Sequence, residues 1–160
     1  MQEQRIDLKD PKVLDVYGFS NCEISAALSN MAHHPFEIDG VQCGSMEGFV
    51  QSLKFKEPER QLEVASKVGI KARELGVKRN WKVQQTLYWK GTPFSRHSEG
   101  YQILLDNAYD AMYIQSKEFR EALTKSKGRV LLHLVGNTDP FKTIMTREEF
   151  LCRLNRLRSL

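Results

Sequence analysis

The sequence predicts a mainly α-helical domain with a few short β-strands, an α+β chain and neither a repeating βαβ pattern nor a sandwich. Three observations carry that reading. Apolar residues recur at helical spacing through most of the chain, often beside capping or stop signals. Strand-like stretches are few and short. The 160 residues, 41% hydrophobic and 28% charged, suit one soluble domain with a substantial core and are too few for two ordinary domains. With no internal repeat, low-complexity tract or linker, residues 1–160 read as one compact domain, with 1–14 open to being an N-terminal extension.

Taken in order, "KVLDVYGFS" has the partial alternation of a short strand. "FEIDGVQC" sets Phe36, Ile38 and Val41 around Asp39-Gly40, a strong two-residue hairpin signal. "GSMEGFVQSLKF" spaces Met46, Phe49, Val50 and Leu53 as the buried face of a helix capped by Ser45. "PERQLEVASKV" starts a helix at Pro58 and stops near Gly69, and "IKARELG" ends at Gly76. A further helix is expected through "RNWKVQQTLYW", followed by a turn at "KGTP". "SEGYQILLDNAYDAMYIQ" is helical by the spacing of Tyr101, Leu104, Leu105, Ala108, Tyr109 and Met112, and "KEFREALTKSKG" closes at Gly128. "RVLLHLVG" reads as one buried strand, and the last helix opens on Thr146 as N-cap with Glu149 completing a capping box.

The bulk numbers exclude several classes. No apolar run approaches the ~20 residues of a membrane span, and the N-terminus lacks the apolar core of a signal peptide. Cys22, Cys43 and Cys152 are odd in number and form no C-x-x-C pair, which argues for reduced thiols in a cytoplasmic protein and against a disulfide framework or zinc site. A formal net charge of +4 suits an anionic ligand such as a nucleotide, a phosphate or nucleic acid without choosing among them.

Several constellations have both a chemical and a plain reading. Glu47, Gln51 and Lys54 recur at i, i+4 and i+7 beside the buried face of their helix. The acid and the amine lie about 10 Å apart along the axis, so they are either a solvated face or two groups offered to one ligand in one cleft. Gln51 could donate and accept between them. His33 and His34 suggest a metal, but neighbours on an extended segment point to opposite sides and no third ligand sits at a zinc spacing, so no metal is expected. Asn30 is a loop amide for a ligand or a turn former. Lys71, Arg73, Lys78 and Arg79 before Trp81 suit phosphate and a stacked base, or a solvated basic face with Trp81 in the core. Arg96, His97 and Glu99 are an anion site or a capping cluster. Asn137, Thr138 and Asp139 follow a strand as site groups or ordinary turn residues.

The run Ser29-Asn30, Pro35, Asp39-Gly40, then Ser45, Glu47, Phe49, Gln51, Lys54 and Phe55 resembles the NADAR, or YbiA-like, family, whose pattern joins a Ser-Asn, a hairpin Asp-Gly and S-x-E-x-F/Y-x-Q-x-x-K-F. "ARELG…RNW" is similar to a further family segment, and Asp139 falls at its C-terminal acidic position. The likeness spans the chain from about residue 15. Two departures stand out: His34 where many members have an aromatic residue, and Pro140-Phe141 where many carry Trp-Gly.

The resemblance implies a YbiA-like fold and a cofactor-free N-glycosidase that cleaves ribose from nitrogen, on an ADP-ribosylated guanine in a nucleotide or nucleic acid, or on a related ribosyl-nucleotide. It implies Glu47, Lys54 and Asp139 as catalytic residues, with Lys54 forming a Schiff base to the opened ribose. Asn30, Ser45, Phe49, Gln51, Arg73, Arg79 and Trp81 would bind substrate, Trp81 as a flat wall. The rival readings are a non-catalytic ADP-ribose-binding module and a plain basic nucleic-acid binder, the latter without any named module to support it.

Overall fold

The computed structural model describes residues 5–160, so the first four residues of the expected extension lie outside the described residues. Regular structure begins at β1 (Val13–Asp15), which pairs in parallel with β6 (Val130–Leu132) at the register Val13 to Val130. Val13 and Leu14 therefore belong to the fold and not to an extension. Parallel partners need a long crossover, and here the crossover holds most of the molecule. It runs α1 (Glu23–Leu28), β2 (Phe36–Ile38), β3 (Val41–Cys43), α2 (Met46–Ser52), α3 (Pro58–Ala65), α4 (Ile70–Gly76), β4 (Thr86–Trp89), β5 (Thr92–Ser95), α5 (Glu99–Gln115) and α6 (Lys117–Lys125), and after β6 comes α7 (Arg147–Arg158). The mainly helical expectation, the hairpin and the two C-terminal helix starts all hold.

At the β2–β3 turn Asp39 and Gly40 both have positive φ, 51° and 80°, the conformation an Asp-Gly hairpin requires. Thr146 accepts from the Glu149 backbone and Glu149 accepts from the Thr146 backbone, so the capping box forms. The helix expected through "RNWKVQQTLYW" does not. Thr86, Leu87, Tyr88 and Trp89 instead make β4, paired antiparallel with β5 through a turn at Lys90-Gly91 whose φ values are 51° and 84°. Gln85 at φ 55° also interrupts any helix there. Four consecutive β-branched or large side chains ahead of a left-handed Gly turn outweigh the helical spacing of the apolar residues. β6 is shorter than the strand read in "RVLLHLVG", with Val130 54% exposed. The short α1 was not anticipated, and its N-cap, Cys22, makes no side-chain bond that would announce it.

α2 is the axis of the core. All of its residues are buried, because α3, α4 and α5 pack around it. Ser45 Oγ accepts from the Gly48 amide at 3.0 Å and donates to the Lys67 carbonyl at 3.0 Å, tying the start of α2 to the end of α3. The approach is so close that a Cβ on Gly48 would sit 2.4 Å from the Lys67 carbonyl oxygen and 2.5 Å from that of Ala65. The Glu47 amide in turn donates to the Asn30 carbonyl at 2.9 Å.

On the far side, Arg96 is buried and grips Glu149 with both terminal nitrogens, at 3.1 and 2.5 Å, while its Nε donates to the Thr143 carbonyl at 3.1 Å. The Tyr101 hydroxyl donates to the Ile144 carbonyl. These bonds hold the 143–146 segment in place. Ser98, not an anion, satisfies the start of α5, accepting from the Tyr101 amide at 3.2 Å. The Arg96 cluster is therefore architectural.

In a helix interior Gly→Ala is ordinarily stabilising by about 1 kcal/mol. For Gly48→Ala the sign reverses: the Cβ meets backbone oxygens that cannot turn aside, and we expect a loss of about 1–3 kcal/mol in denaturant unfolding. A gain would mean that α3 yields freely to α2.

Candidate active site

Glu47 and Gln51 leave the core side of α2 for a cleft. A cavity of about 360 Å³ is lined there by Asn30, Glu47, Gln51, Arg73, His133, Asn137, Lys142 and Thr143, among others. A smaller lobe lined by Tyr17, Phe19 and Met31 shares Asn30, Glu47, Arg73, His133 and Val135 with it. α2 supplies the acid, α4 the arginine, the loop after α1 the asparagine, and the segments flanking β6 and α7 the remaining wall.

Glu47 is 8% exposed, and its Oε1 accepts from Gln51 Nε2 at 2.8 Å and lies 3.5 Å from Arg73 Nε. Gln51 Oε1 has no hydrogen-bond partner among the described residues. It lies against Gly76, where a Cβ would come within 1.8 Å of it, so α4 carries a glycine at that position to admit the amide. Asn30 is clamped: its Oδ1 accepts from the buried Tyr109 hydroxyl at 2.6 Å and its Nδ2 faces Met145 Sδ at 3.5 Å. Arg73, with its side chain 55% exposed, stands at the mouth beside the carboxylate.

Lys54 departs from the expectation of one shared cleft. α2 ends at Ser52, and Leu53, Lys54 and Phe55 turn back on residues 50–52 by i→i+3 backbone bonds, with Leu53 pinned to the Tyr88 amide at 2.8 Å. The amine therefore lines a second cavity, about 220 Å³, with Lys56, Glu57, Arg79, Asn80, Trp81, Gln84, Thr86 and Tyr88. Burial pushes Lys54 down from 10.5 to about 8; the Glu47 carboxylate opposes that fall, and the Lys82 and Arg73 cations add to it. Acid and amine thus feel each other's charge while lining different cavities.

The other expected binders fall into two groups. Asn30, Gln51 and Arg73 line the Glu47 cavity, and Arg79 lines the Lys54 cavity, paired with Glu57 at 3.2 Å and lying over the Phe55 ring at 4.9 Å. Phe49 does not reach a ligand: it has no exposed surface and packs against Phe36 and the edge of Trp89. Ser45 is likewise fully buried as the α2 cap. Trp81 is 7% exposed and part of the core cluster while also lining the lysine cavity, so little of the indole is open to a ligand. Asp139 shapes its turn, its Oδ1 accepting from the Phe141 amide at 2.9 Å, and Lys142 lies 4.0 Å from its other oxygen.

His133 and Lys142 were missed. Lys142 has no motif around it, whereas an imidazole inside the apolar run "VLLHLV" was a visible signal. His33 is exposed and His34 is buried between the Ala27 carbonyl, 2.6 Å from Nε2, and the Ser116 hydroxyl, 3.1 Å from Nδ1. Among the described residues no three His, Cys, Asp or Glu side chains gather to hold a metal, and no helix is long and apolar enough to cross a membrane.

The fold is YbiA-like. The solved NMR structure of the E. coli protein YbiA matches with a TM-score of 0.59 and 18% identity over 92% of this chain and 83% of that one. A family model described as Bacteriophage protein GP30.3 matches residues 22–159, and the chain belongs to that family. A relative from Enterobacteria phage T4, described as an uncharacterized 17.1 kDa protein in the Gp30-rIII intergenic region, is 44% identical over 138 residues, covering 84% of this chain and 90% of its own length.

Lys54 lends itself to a linkage test. The unfolded chain keeps the Lys54 proton up to about 10.5 and the folded one only up to about 8, so the penalty of burying the charge is present in full below pH 8. Between those values the unfolded state binds more protons and wild-type stability rises with pH. Lys54→Met should therefore unfold with about 1–3 kcal/mol more stability at pH 7, a range discounted for solvent screening, and the advantage should shrink by pH 10. A pH-independent difference would contradict the buried amine.

Proposed function

We propose that this chain is an N-glycosidase that breaks the bond between a ribose C1 and a nitrogen, on an ADP-ribosylated guanine or a related ribosyl-nucleotide. The observation that carries the reading is the coupling of a buried carboxylate on α2 with a lysine just past its end that is brought near 8. An amine attacks carbon only when neutral, and at about 8 a useful fraction of Lys54 is neutral near physiological pH. The YbiA-like fold and the S-x-E-x-F-x-Q-x-x-K-F match support the same assignment.

In this reading the ribose bridges the two cavities, with C1 within reach of both Glu47 and Lys54. Lys54 Nζ bonds to C1, the C1–N electron pair leaves with the base, the proton shed by Nζ goes to that base nitrogen, and the Glu47 carboxylate steadies the positive charge that develops on the sugar. Gln51 holds the carboxylate in register, Asn30 binds a ribose hydroxyl through its amide, and Arg73, Arg79 and Lys142 meet the phosphates. Asp139 serves the site by holding the turn that carries Lys142. Water then releases the sugar from Lys54.

One observation favours the rival, a non-catalytic ADP-ribose-binding module: the acid and the amine line separate cavities. The two readings part in one experiment. With ADP-ribosylated guanosine, wild type should release free base, and borohydride should trap the sugar on Lys54. Lys54→Ala should lose turnover while still folding and unfolding cooperatively, and Glu47→Gln should keep affinity within a few-fold while kcat falls by about 100-fold or more. Tight ADP-ribose binding by wild type without base release would establish the module instead.

A further inference from the structure

We infer that His133 is a catalytic residue of this site, the base that takes the proton of the attacking water. The inference rests on the N-glycosidase reading above and adds to it a group that the family motif does not contain.

The geometry is that of a poised imidazole. His133 follows β6 and lies in the wall common to the Glu47 cavity and its aromatic lobe. Its Nδ1 sits 2.6 Å from the Val16 carbonyl oxygen, an acceptor with no proton to offer, so Nδ1 carries the hydrogen. That leaves Nε2 of the neutral ring as a free lone pair. Among the described residues Nε2 makes no hydrogen bond and keeps exposed surface, on a ring that lines the cavity. The ring is fixed in orientation: its centroid lies 4.6 Å from that of Phe150, edge to face, and a Cβ on Gly136 would come within 2.4 Å of its Cδ2. Val16, just past β1, thus sets the tautomer, α7 and the glycine set the plane, and the ring lines the same cavity as Glu47.

This arrangement differs from that of His34. There both ring nitrogens are engaged, by the Ala27 carbonyl and the Ser116 hydroxyl, and nothing is left for a ligand. The charged groups around His133 are Glu47, Arg73 and Lys142 across the cavity, Asp15, which accepts from the neighbouring Leu134 amide at 3.0 Å, and Arg147, whose Nη2 donates to the Leu134 and Gly136 carbonyls at 2.9 Å. Arg147 is directed at backbone oxygens and holds the loop, so it does not compete for the imidazole.

The step balances without any co-reactant. Water adds its oxygen to the ribose C1 and gives one proton to Nε2, forming the imidazolium. The bond from C1 to Lys54 Nζ, formed when the base left, breaks with its electron pair on Nζ, which takes the proton back from Nε2. The imidazole is regenerated, and Glu47 remains free to stabilise the positive charge on the sugar.

Two variants and a small molecule test this. His133→Asn keeps an amide N–H close to the position of Nδ1, so the Val16 bond and the fold should survive while the proton acceptor is lost. We expect an unchanged melting curve and a kcat lower by about 100-fold or more, with KM changed little. His133→Ala should lose as much and regain activity in proportion to added free imidazole, whereas Glu47→Gln should not respond to imidazole. Wild-type kcat in His133→Asn would overturn the inference, and so would a folded His133→Ala that imidazole does not restore. A wild-type protein that releases no base from ADP-ribosylated guanosine would overturn the glycosidase reading itself, and that shows before any His133 variant is compared.

Discussion

The closeness of α2 to the end of α3 is the constraint on which the rest depends. Gly44 and Gly48 let the two backbones approach until a Cβ at either position would lie 2.4 Å from a carbonyl oxygen. Ser45 caps the helix and bonds across the same gap. With that seam closed, Phe49 and Met46 enter the core completely, and the opposite stripe has one direction left to face. Glu47 and Gln51 then arrive at the cleft already bonded to each other, and Gly76 on α4 leaves room for the amide. The core packing of α2 and the placement of its polar stripe are one arrangement.

That arrangement carries a cost that only a ligand or a reaction would offset. A lysine beside a hydrophobic core gives up hydration, and a glutamate at 8% exposure does the same with one exposed arginine to help it. A scaffold selected for stability alone would replace Lys54 with an apolar chain of similar length. Keeping an amine and a carboxylate this close to a hydrophobic core, seven residues apart, is what an active site requires and a core does not.

Much of this could be read from residues in a row. The Asp39-Gly40 hairpin, the Ser45 cap and the Thr146–Glu149 capping box are local chemistry, and each appeared where its side chains required. The Glu47–Gln51 contact is also local, one helical turn. What could not be read depends on contacts far apart in the chain. "RNWKVQQTLYW" has helical spacing, but the left-handed Gln85 and the Lys90-Gly91 turn make its second half a strand. Phe49 and Trp81 were expected at the ligand because a motif contains them, yet motif membership does not separate a wall from the core behind it. The separation of Lys54 from the Glu47 cavity comes from the C-terminal turn of α2 being pinned to Tyr88, 35 residues on from Leu53. The imidazole in "VLLHLV" stands out in the sequence, but its free Nε2 depends on Val16, distant in sequence, engaging Nδ1.

The central claim is that Glu47 and Lys54 form one electrostatic unit although they line different cavities. NMR titration of the Lys54 side chain, in wild type and in Glu47→Gln, tests it most directly. The expected result is a wild-type midpoint near 8 that moves further down when the carboxylate is neutralised, because Glu47 is the group that favours the protonated amine. A wild-type midpoint at the ordinary lysine value, or one that Glu47→Gln leaves in place, would contradict the claim.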